Sequence, residues 1–249
     1  MAPNVMGITT RPRGAIASFL LVHGFCASSD ELGTLGKYLA DNGHASFAVQ
    51  LAGHGTTPED LKATSWRDWL ESARKGLNII QSWGSKYIFV VGFSMGGLLS
   101  ILLSSEEKDI DGLILIAPAL KISGFTPKLV PILKYLIKYR EIDVEAVQRV
   151  YDVKRTKYER EPVSAYQEFF RLQKVARKRM MNVTIPTIIL QGEEDKSIDK
   201  TSGRMALNGI SSEKKELQMI TGAEHVISCH PTRTVAYPLI LDFVERVMD

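Results

Sequence analysis

The residue with the clearest chemical potential is a serine placed between glycines. Ser94 lies in the segment Gly92-Phe93-Ser94-Met95-Gly96, which follows an apolar run and precedes a helix-like pattern. A tight turn from strand to helix strains such a serine, and the flanking glycines avoid steric clashes. The hydroxyl then projects above the carboxyl edge of a sheet, where the first N–H groups of the helix favour negative charge. This spacing predicts a nucleophilic serine.

His225 is the predicted general base, which a serine hydroxyl needs because it is a weak nucleophile at neutral pH. It lies in a loop after the last predicted strand, and parallel sheets gather functional groups at the carboxyl ends of strands. The other histidines fit this role less well. His44 is predicted to end a helix at the surface, and His230 to begin the final helix. His23 and His54 lie beside glycines and are expected to hold loops by hydrogen bonds.

A carboxylate is expected to fix the tautomer of this histidine and to stabilise its imidazolium form. Three candidates follow the apolar run Thr184–Leu190. Asp195 is the preferred candidate, Glu194 is the next and Asp199 the last. All three side chains also suit solvated loop positions, so the order of preference is an expectation.

Two backbone N–H groups are predicted to stabilise the oxyanion that forms when the serine attacks a carbonyl. One belongs to Met95, directly after the nucleophile. The second is assigned to Phe25, in the His23-Gly24-Phe25 loop that follows the first long apolar run. The side chains of Phe25 and Met95 are then expected to flank the acyl group.

The elements that must position these residues alternate between strand-like and helix-like patterns. Six mostly apolar runs are predicted as strands: Ala15–Val22, Ala45–Gln50, Lys86–Gly92, Ile110–Ala117, Thr184–Gln191 and Lys215–Ile220. Segments of helical periodicity lie between or after them: Asp30–Asn42, Ser65–Trp83, Ser94–Ser105, Asp199–Asn208 and Thr232–Val247. Continuously apolar strands are typical of sheets covered on both faces. The pattern predicts one α/β domain over residues 1–249 with a mostly parallel central sheet.

The segment from residue 120 to residue 182 interrupts this alternation. It contains no predicted strand, and its apolar residues recur at helical spacing, which indicates two or three inserted helices forming a small cap. Two interpretations of its larger apolar residues stay open: they line an acyl pocket, or they only pack the cap on the core. These residues are Leu129, Leu133, Leu136, Phe169 and Phe170.

The same segment carries 15 Lys and Arg against 7 Asp and Glu, whereas the rest of the chain is acidic. Solvated helix faces are the favoured explanation, and weak contact with an anionic substrate or lipid surface is the alternative. No motif indicates nucleic-acid binding, and no apolar run is long enough to span a membrane. A cytoplasmic monomer or dimer is expected. Cys26 and Cys229 are expected to be buried thiols, with a bridge between them as the minor alternative.

These motifs resemble those of the small microbial carboxylesterases and monoacylglycerol lipases of the α/β-hydrolase superfamily, over most of the chain. The matching segments are His23-Gly24-Phe25, Gly53-His54-Gly55, Gly92–Gly97, Gly192–Asp195 and Glu224-His225-Val226. The resemblance weakens between residues 120 and 182, where the family carries a short helical cap.

The resemblance implies an α/β-hydrolase fold, with Ser94 as nucleophile, Asp195 as acid and His225 as base. It implies that Phe25 and Met95 donate the oxyanion-hole amides and that no metal or cofactor takes part. The implied substrates are short-to-medium acyl esters or monoacylglycerols. Thioesterase or C–C hydrolase chemistry with the same three groups, and a non-catalytic ligand-binding relative, remain as alternatives.

Overall fold

The computed structural model describes residues 6–123 and 137–249. In these ranges seven strands form one sheet in the order β1-β3-β2-β4-β5-β8-β9. The strands are β1 Gly7–Thr10, β2 Ala17–Val22, β3 Ala45–Val49, β4 Tyr87–Phe93, β5 Gly112–Ile116, β8 Thr187–Gly192 and β9 Lys215–Ile220. All neighbours are parallel except β1, which pairs antiparallel with β3. The predicted mostly parallel sheet is confirmed, whereas the short and exposed edge strand β1 was not predicted.

Helices cover both faces of this sheet. They are α1 Gly33–Asp41, α2 Pro58–Lys62, α3 Trp66–Gln81, α4 Met95–Glu106, α5 Val144–Gln148, α6 Val163–Arg179, α7 Ser202–Gly209 and α8 Arg233–Met248. Single turns of tighter helix occupy Ser29–Leu32, Met180–Asn182 and Ile227–Cys229. One apolar core layer joins the sheet to α3, α4 and α7, and a second joins it to α1 and α8. Burial on both faces explains why the inner strands are mostly apolar and do not alternate with polar residues.

The segment inserted between β5 and β8 differs from its prediction. It contains a two-stranded antiparallel sheet, β6 Tyr139–Glu141 with β7 Arg160–Pro162, where no strand was expected. Three-residue strands rich in charged side chains give no apolar alternation, so the pattern could not reveal them. Helix α6 was expected from its periodicity, and it packs on α4 in the first core layer. Leu129, Leu133 and Leu136 lie outside the described residues, and the cap boundaries at 120 and 182 stay a prediction.

Two further expectations concern single side chains. His44 was predicted at the surface, but it is 2% exposed and contacts the ring of Phe19 edge-on at 5.4 Å. It lies between the turn that ends α1 and the first residue of β3, and burial lowers its pKa. Cys26 and Cys229 are both buried free thiols, as predicted.

Candidate active site

Ser94 occupies the turn between β4 and α4 in a strained backbone conformation. Its φ of 52° and ψ of −112° lie in a region that non-glycine residues rarely adopt. Two backbone hydrogen bonds hold the turn: the Ser94 N–H donates to Ile116 O at 2.9 Å, and the Ala119 N–H donates to Ser94 O at 3.0 Å. The turn also needs Gly92, since a Cβ there would stand 2.4 Å from the Ser100 hydroxyl. Strand β5 therefore anchors the turn that presents the serine.

Three distant loops meet at Ser94. His225 Nε2 lies 3.0 Å from the Ser94 hydroxyl, and His225 Nδ1 lies 2.7 Å from Asp195 Oδ2. Asp195 follows β8, and His225 follows β9, so both side chains come from carboxyl ends of neighbouring strands. The other two carboxylates considered are elsewhere: Glu194 is exposed, and Asp199 binds Lys121 Nζ at 2.8 Å.

The environment of Asp195 favours its ionised form. Oδ1 accepts the N–H groups of Ser197 and Ile198, both at 2.8 Å, and Oδ2 accepts Gln191 Nε2 at 3.2 Å. Burial opposes the charge, but the nearby imidazole of His225 and these backbone donors outweigh it and lower the pKa of Asp195. An ionised carboxylate only accepts hydrogen bonds, so His225 Nδ1 carries the proton and Nε2 is left to accept from Ser94.

The predicted oxyanion loop, residues 23–25, lies against the start of α4. Buried His23 holds it: Nδ1 donates to Gly24 O at 2.8 Å, and Nε2 accepts the Leu51 N–H at 3.2 Å. The N–H groups of Phe25 and Met95 donate to no other residue in the ranges 6–123 and 137–249. Both N–H groups thus remain available to an oxygen atom bound at the serine.

His54 also has the structural position that its sequence predicted. Its Nδ1 donates to Ala52 O at 3.1 Å, and its ring packs edge-on against Trp69 and His23. Burial, followed by the charge of His23, holds the pKa of His54 well below its usual range. A neutral histidine in this position supports the loops below the cavity and has no contact with Ser94.

A cavity of about 410 Å³ opens over the serine. Its apolar wall includes Phe25, Phe93, Ile122, Phe169, Ile198 and Val226. Two residues predicted to contact substrate are not on the described wall. The Met95 side chain is fully buried in the core beneath the turn, since the helix that begins there points it inward. Phe170 packs edge-on against Phe169 at 5.4 Å, because adjacent residues of a helix face different directions.

The opposite part of the wall is polar, which the sequence analysis did not predict. Glu161 is 3% exposed and pairs with Lys157 Nζ, and it also accepts the Tyr166 hydroxyl. Arg140 Nη1 donates to that hydroxyl at 3.1 Å. Burial opposes ionisation of Glu161, but the Lys157 ammonium and the hydrogen bonds outweigh it and lower its pKa. These residues belong to the basic segment. Its composition did not reveal that some of its charged side chains are buried.

Comparisons with known proteins agree with this architecture. A family model described as serine aminopeptidase, S33, matches residues 13–231. A carboxylesterase of Bacillus subtilis (strain 168) is 24% identical over 243 residues, covering 96% of this chain and 98% of the relative. A thermostable monoacylglycerol lipase of Bacillus sp. (strain H-257) is 28% identical over 230 residues, covering 91% and 90%.

Solved structures show the same fold. A structure reported with two metagenome-derived lipolytic enzymes, LipS and LipT, superposes with a TM-score of 0.88 at 23% identity, covering 98% of both chains. The monoacylglycerol lipase of Paleococcus ferrophilus superposes with a TM-score of 0.77 at 22% identity, covering 98% of this chain and 99% of that one. Within residues 6–123 and 137–249, every helix is too short or too polar to cross a membrane. The chain therefore belongs to the serine aminopeptidase S33 family of the α/β-hydrolase superfamily, and it is a hydrolase.

Proposed function

We propose that this protein hydrolyses carboxylic esters of short-to-medium acyl chains, monoacylglycerols among them, through an acyl-enzyme on Ser94. The observation that carries the proposal is the continuous line from the Ser94 hydroxyl through His225 to Asp195, at 3.0 and 2.7 Å. The relatives named carboxylesterase and monoacylglycerol lipase, which align over nearly the whole chain, support the choice of ester substrates.

The first half of the proposed reaction transfers the acyl group to the enzyme. Ser94 Oγ attacks the carbonyl carbon while its proton moves to His225 Nε2. The carbonyl oxygen becomes an oxyanion, which the N–H groups of Phe25 and Met95 stabilise. The carbon–oxygen bond to the alcohol then breaks, and the imidazolium returns the proton to the leaving oxygen. Asp195 remains ionised and stabilises the charged imidazole throughout.

The second half releases the acid. A water molecule gives one proton to His225 Nε2 and attacks the acyl carbon, which forms a second oxyanion at the same two N–H groups. The bond to Ser94 Oγ breaks as the imidazolium protonates that oxygen. The products are the carboxylic acid and the free serine. In each half of the reaction, His225 Nε2 takes one proton from an oxygen and returns it to the leaving oxygen.

The wall of the cavity supports an ester whose two halves differ in polarity. Phe25, Phe93 and Phe169 offer apolar surface to an acyl chain. Tyr166 and the buried pair Glu161–Lys157 offer hydrogen-bonding groups suited to a polar alcohol. This contrast favours a monoacylglycerol-like substrate over an ester that is apolar at both ends.

The proposal extends to weak peripheral contact with anionic lipid surfaces. Ile137, Val147 and Val150 are apolar side chains of the inserted segment that are 38–48% exposed. Exposed cations, among them Lys138 and Lys154, occur in the same segment. Apolar and cationic groups together favour the surface of an anionic bilayer.

The nucleophile is tested with Ser94→Ala and a panel of p-nitrophenyl esters and monoacylglycerols of graded chain length. We expect the wild type to hydrolyse both classes and to react with a fluorophosphonate probe. Ser94→Ala should lower kcat by at least about 1,000-fold and abolish labelling, because no other group replaces the attacking oxygen. Wild-type protein without turnover or labelling would instead favour a ligand-binding role, and thioester turnover exceeding ester turnover would favour a thioesterase.

The acid is tested by comparing Asp195→Asn with Glu194→Gln and Asp199→Asn. We expect Asp195→Asn to lower kcat by about 1,000- to 10,000-fold, because an amide at this position stabilises the wrong imidazole tautomer. The two control variants should keep wild-type kcat. Since folding lowers the pKa of Asp195, its carboxylate is ionised in the wild type at pH 8, where the variants are compared. A larger loss in Glu194→Gln would move the acid to that residue.

The acyl pocket is tested with Phe169→Leu, using Phe170→Leu as a matched control on the same helix. Phe169 lines the cavity, whereas Phe170 does not. We expect the first variant to change the ratio of octanoate to butyrate turnover by at least about fivefold, because one methylene group contributes about 0.8 kcal/mol when buried. The control should keep the wild-type ratio. An unchanged ratio in Phe169→Leu would mean that this ring only packs α6 on the core.

A further inference from the structure

A buried carboxylate, Glu31, connects three loops around the serine. Its side chain is 2% exposed, and Oε2 accepts the Gly24 N–H at 2.8 Å while Oε1 accepts Arg155 Nη1 at 2.7 Å. Its backbone carbonyl accepts the Ser228 hydroxyl at 2.6 Å, in the loop that continues from His225. Glu31 thus contacts the oxyanion loop, the segment inserted after β5 and the histidine-bearing loop at once.

Arg155 belongs to the inserted segment, and the three residues after it also contact the stretch of chain that leads to Glu31. The Arg155 side chain is 6% exposed. Beside it, the N–H and hydroxyl of Thr156 both donate to Asp30 Oδ2 at 2.8 Å. Further along, Lys157 Nζ donates to Phe25 O, and the Tyr158 N–H donates to Cys26 O, both at 3.3 Å. Residues 155–158, called the strap below, therefore lie along residues 25–31.

These contacts fix the peptide that carries one proposed oxyanion donor. The Phe25 N–H belongs to the same planar peptide unit as Gly24 O, which accepts His23 Nδ1 at 2.8 Å. Glu31 holds the preceding N–H, that of Gly24, and Lys157 holds the following carbonyl, that of Phe25. The direction of the Phe25 N–H is thus set from three sides, and two of them depend on the strap.

We propose that Glu31 and Arg155 are positioning residues for the oxyanion hole, so that the inserted segment contributes to the rate of the chemical step as well as to substrate choice. The inference rests on the proposed function. Without Arg155 the buried carboxylate of Glu31 is left unpaired, so its position against the Gly24 N–H is no longer fixed. The peptide then keeps its contacts with His23 and Lys157 but loses the one from Glu31, so the Phe25 N–H shifts. Displacement of an oxyanion donor lowers the rate by about 100- to 1,000-fold.

The first test compares Arg155→Met and Glu31→Gln with Arg149→Met. Arg149 is an exposed arginine of the same segment, so its replacement removes the same charge without touching Glu31. We expect kcat to fall about 100-fold in the first two variants, with KM within about twofold of wild type. Arg149→Met should behave as wild type. A large rise in KM with unchanged kcat would assign Arg155 to substrate binding and overturn the proposal.

The double variant Glu31→Gln/Arg155→Met supplies a rescue experiment. In Glu31→Gln alone, the amide oxygen pairs with the charged Arg155, which turns the amide NH₂ toward the Gly24 N–H, donor against donor. Without Arg155 the oxygen is free to accept from Gly24. We therefore expect the double variant to recover at least about tenfold in kcat over Glu31→Gln. Losses that simply multiply would contradict a shared role through the Gly24 N–H.

A purely structural role of the pair is separated by ligand affinity and by a conservative variant. A trifluoromethyl ketone forms an oxyanion adduct with a nucleophilic serine, so its affinity should fall by the same factor as kcat, while that of the product acid stays constant. If Arg155→Met does not fold, Arg155→Lys keeps the charge and should show the same selective loss to a smaller degree. Equal kcat in wild type and folded Arg155→Met overturns this inference, whereas an inactive wild type overturns the proposed function itself.

Discussion

The close approach of two backbones at the end of β2 is the constraint on which the site depends. A Cβ added to Gly96 would stand 2.0 Å from Val22 O, so only glycine allows α4 to start this close to the neighbouring strand. Strands β2 and β4 are parallel neighbours in register, with Val22 opposite Gly92. The chain therefore leaves both strands at one rim, and the oxyanion loop after β2 faces the serine turn after β4. This contact supports the proposal that the N–H groups of Phe25 and Met95 serve one oxyanion.

Two cationic residues of the inserted segment form ion pairs on the cavity wall, which the composition of the segment does not reveal. Ion pairs buried away from water gain little net stability, because desolvating both groups offsets their attraction. The protein nevertheless buries Glu31 with Arg155, and it pairs buried Glu161 with a Lys157 side chain that is 13% exposed. Both pairs lie on the cavity wall. We therefore infer that these ion pairs fix the geometry and polarity around the serine rather than add stability. The strap joins the oxyanion loop to the segment that also forms the polar wall, so we propose that substrate recognition and the chemical step share these contacts.

Sequence reasoning identified those features that rest on local and strongly constrained patterns. The inner strands are mostly apolar, and the glycine spacing around Ser94 belongs to a turn of defined shape, so the parallel sheet and the serine turn were predictable. The sequence could only rank Asp195 above the two nearby carboxylates, Glu194 and Asp199. Asp195 meets the imidazole because β8 and β9 are neighbours in the sheet, and sequence spacing does not reveal which strands are neighbours. Strands β1, β6 and β7 are too short or too polar to show a period.

The role of a charged residue depends on tertiary partners that no local pattern reveals. Arg155 and Arg149 are indistinguishable in the sequence, yet one is buried against Glu31 and the other is exposed. His44 was misplaced for a related reason, since a residue at the end of a helix is exposed or buried according to the direction in which the chain turns next. Glu31 lies in the predicted helical segment Asp30–Asn42, and nothing in the sequence marked its partners, Gly24 and Arg155.

The central claim is that a hydroxyl, an imidazole and a carboxylate act together beneath two backbone N–H groups. The most direct measurement is a crystal structure of the protein after reaction with a fluorophosphonate. We expect a phosphorus atom bonded to Ser94 Oγ, with the phosphoryl oxygen within hydrogen-bonding distance of the Phe25 and Met95 N–H groups and His225 still paired with Asp195. An unmodified Ser94 with the label on another residue, or a phosphoryl oxygen directed away from both N–H groups, would contradict it.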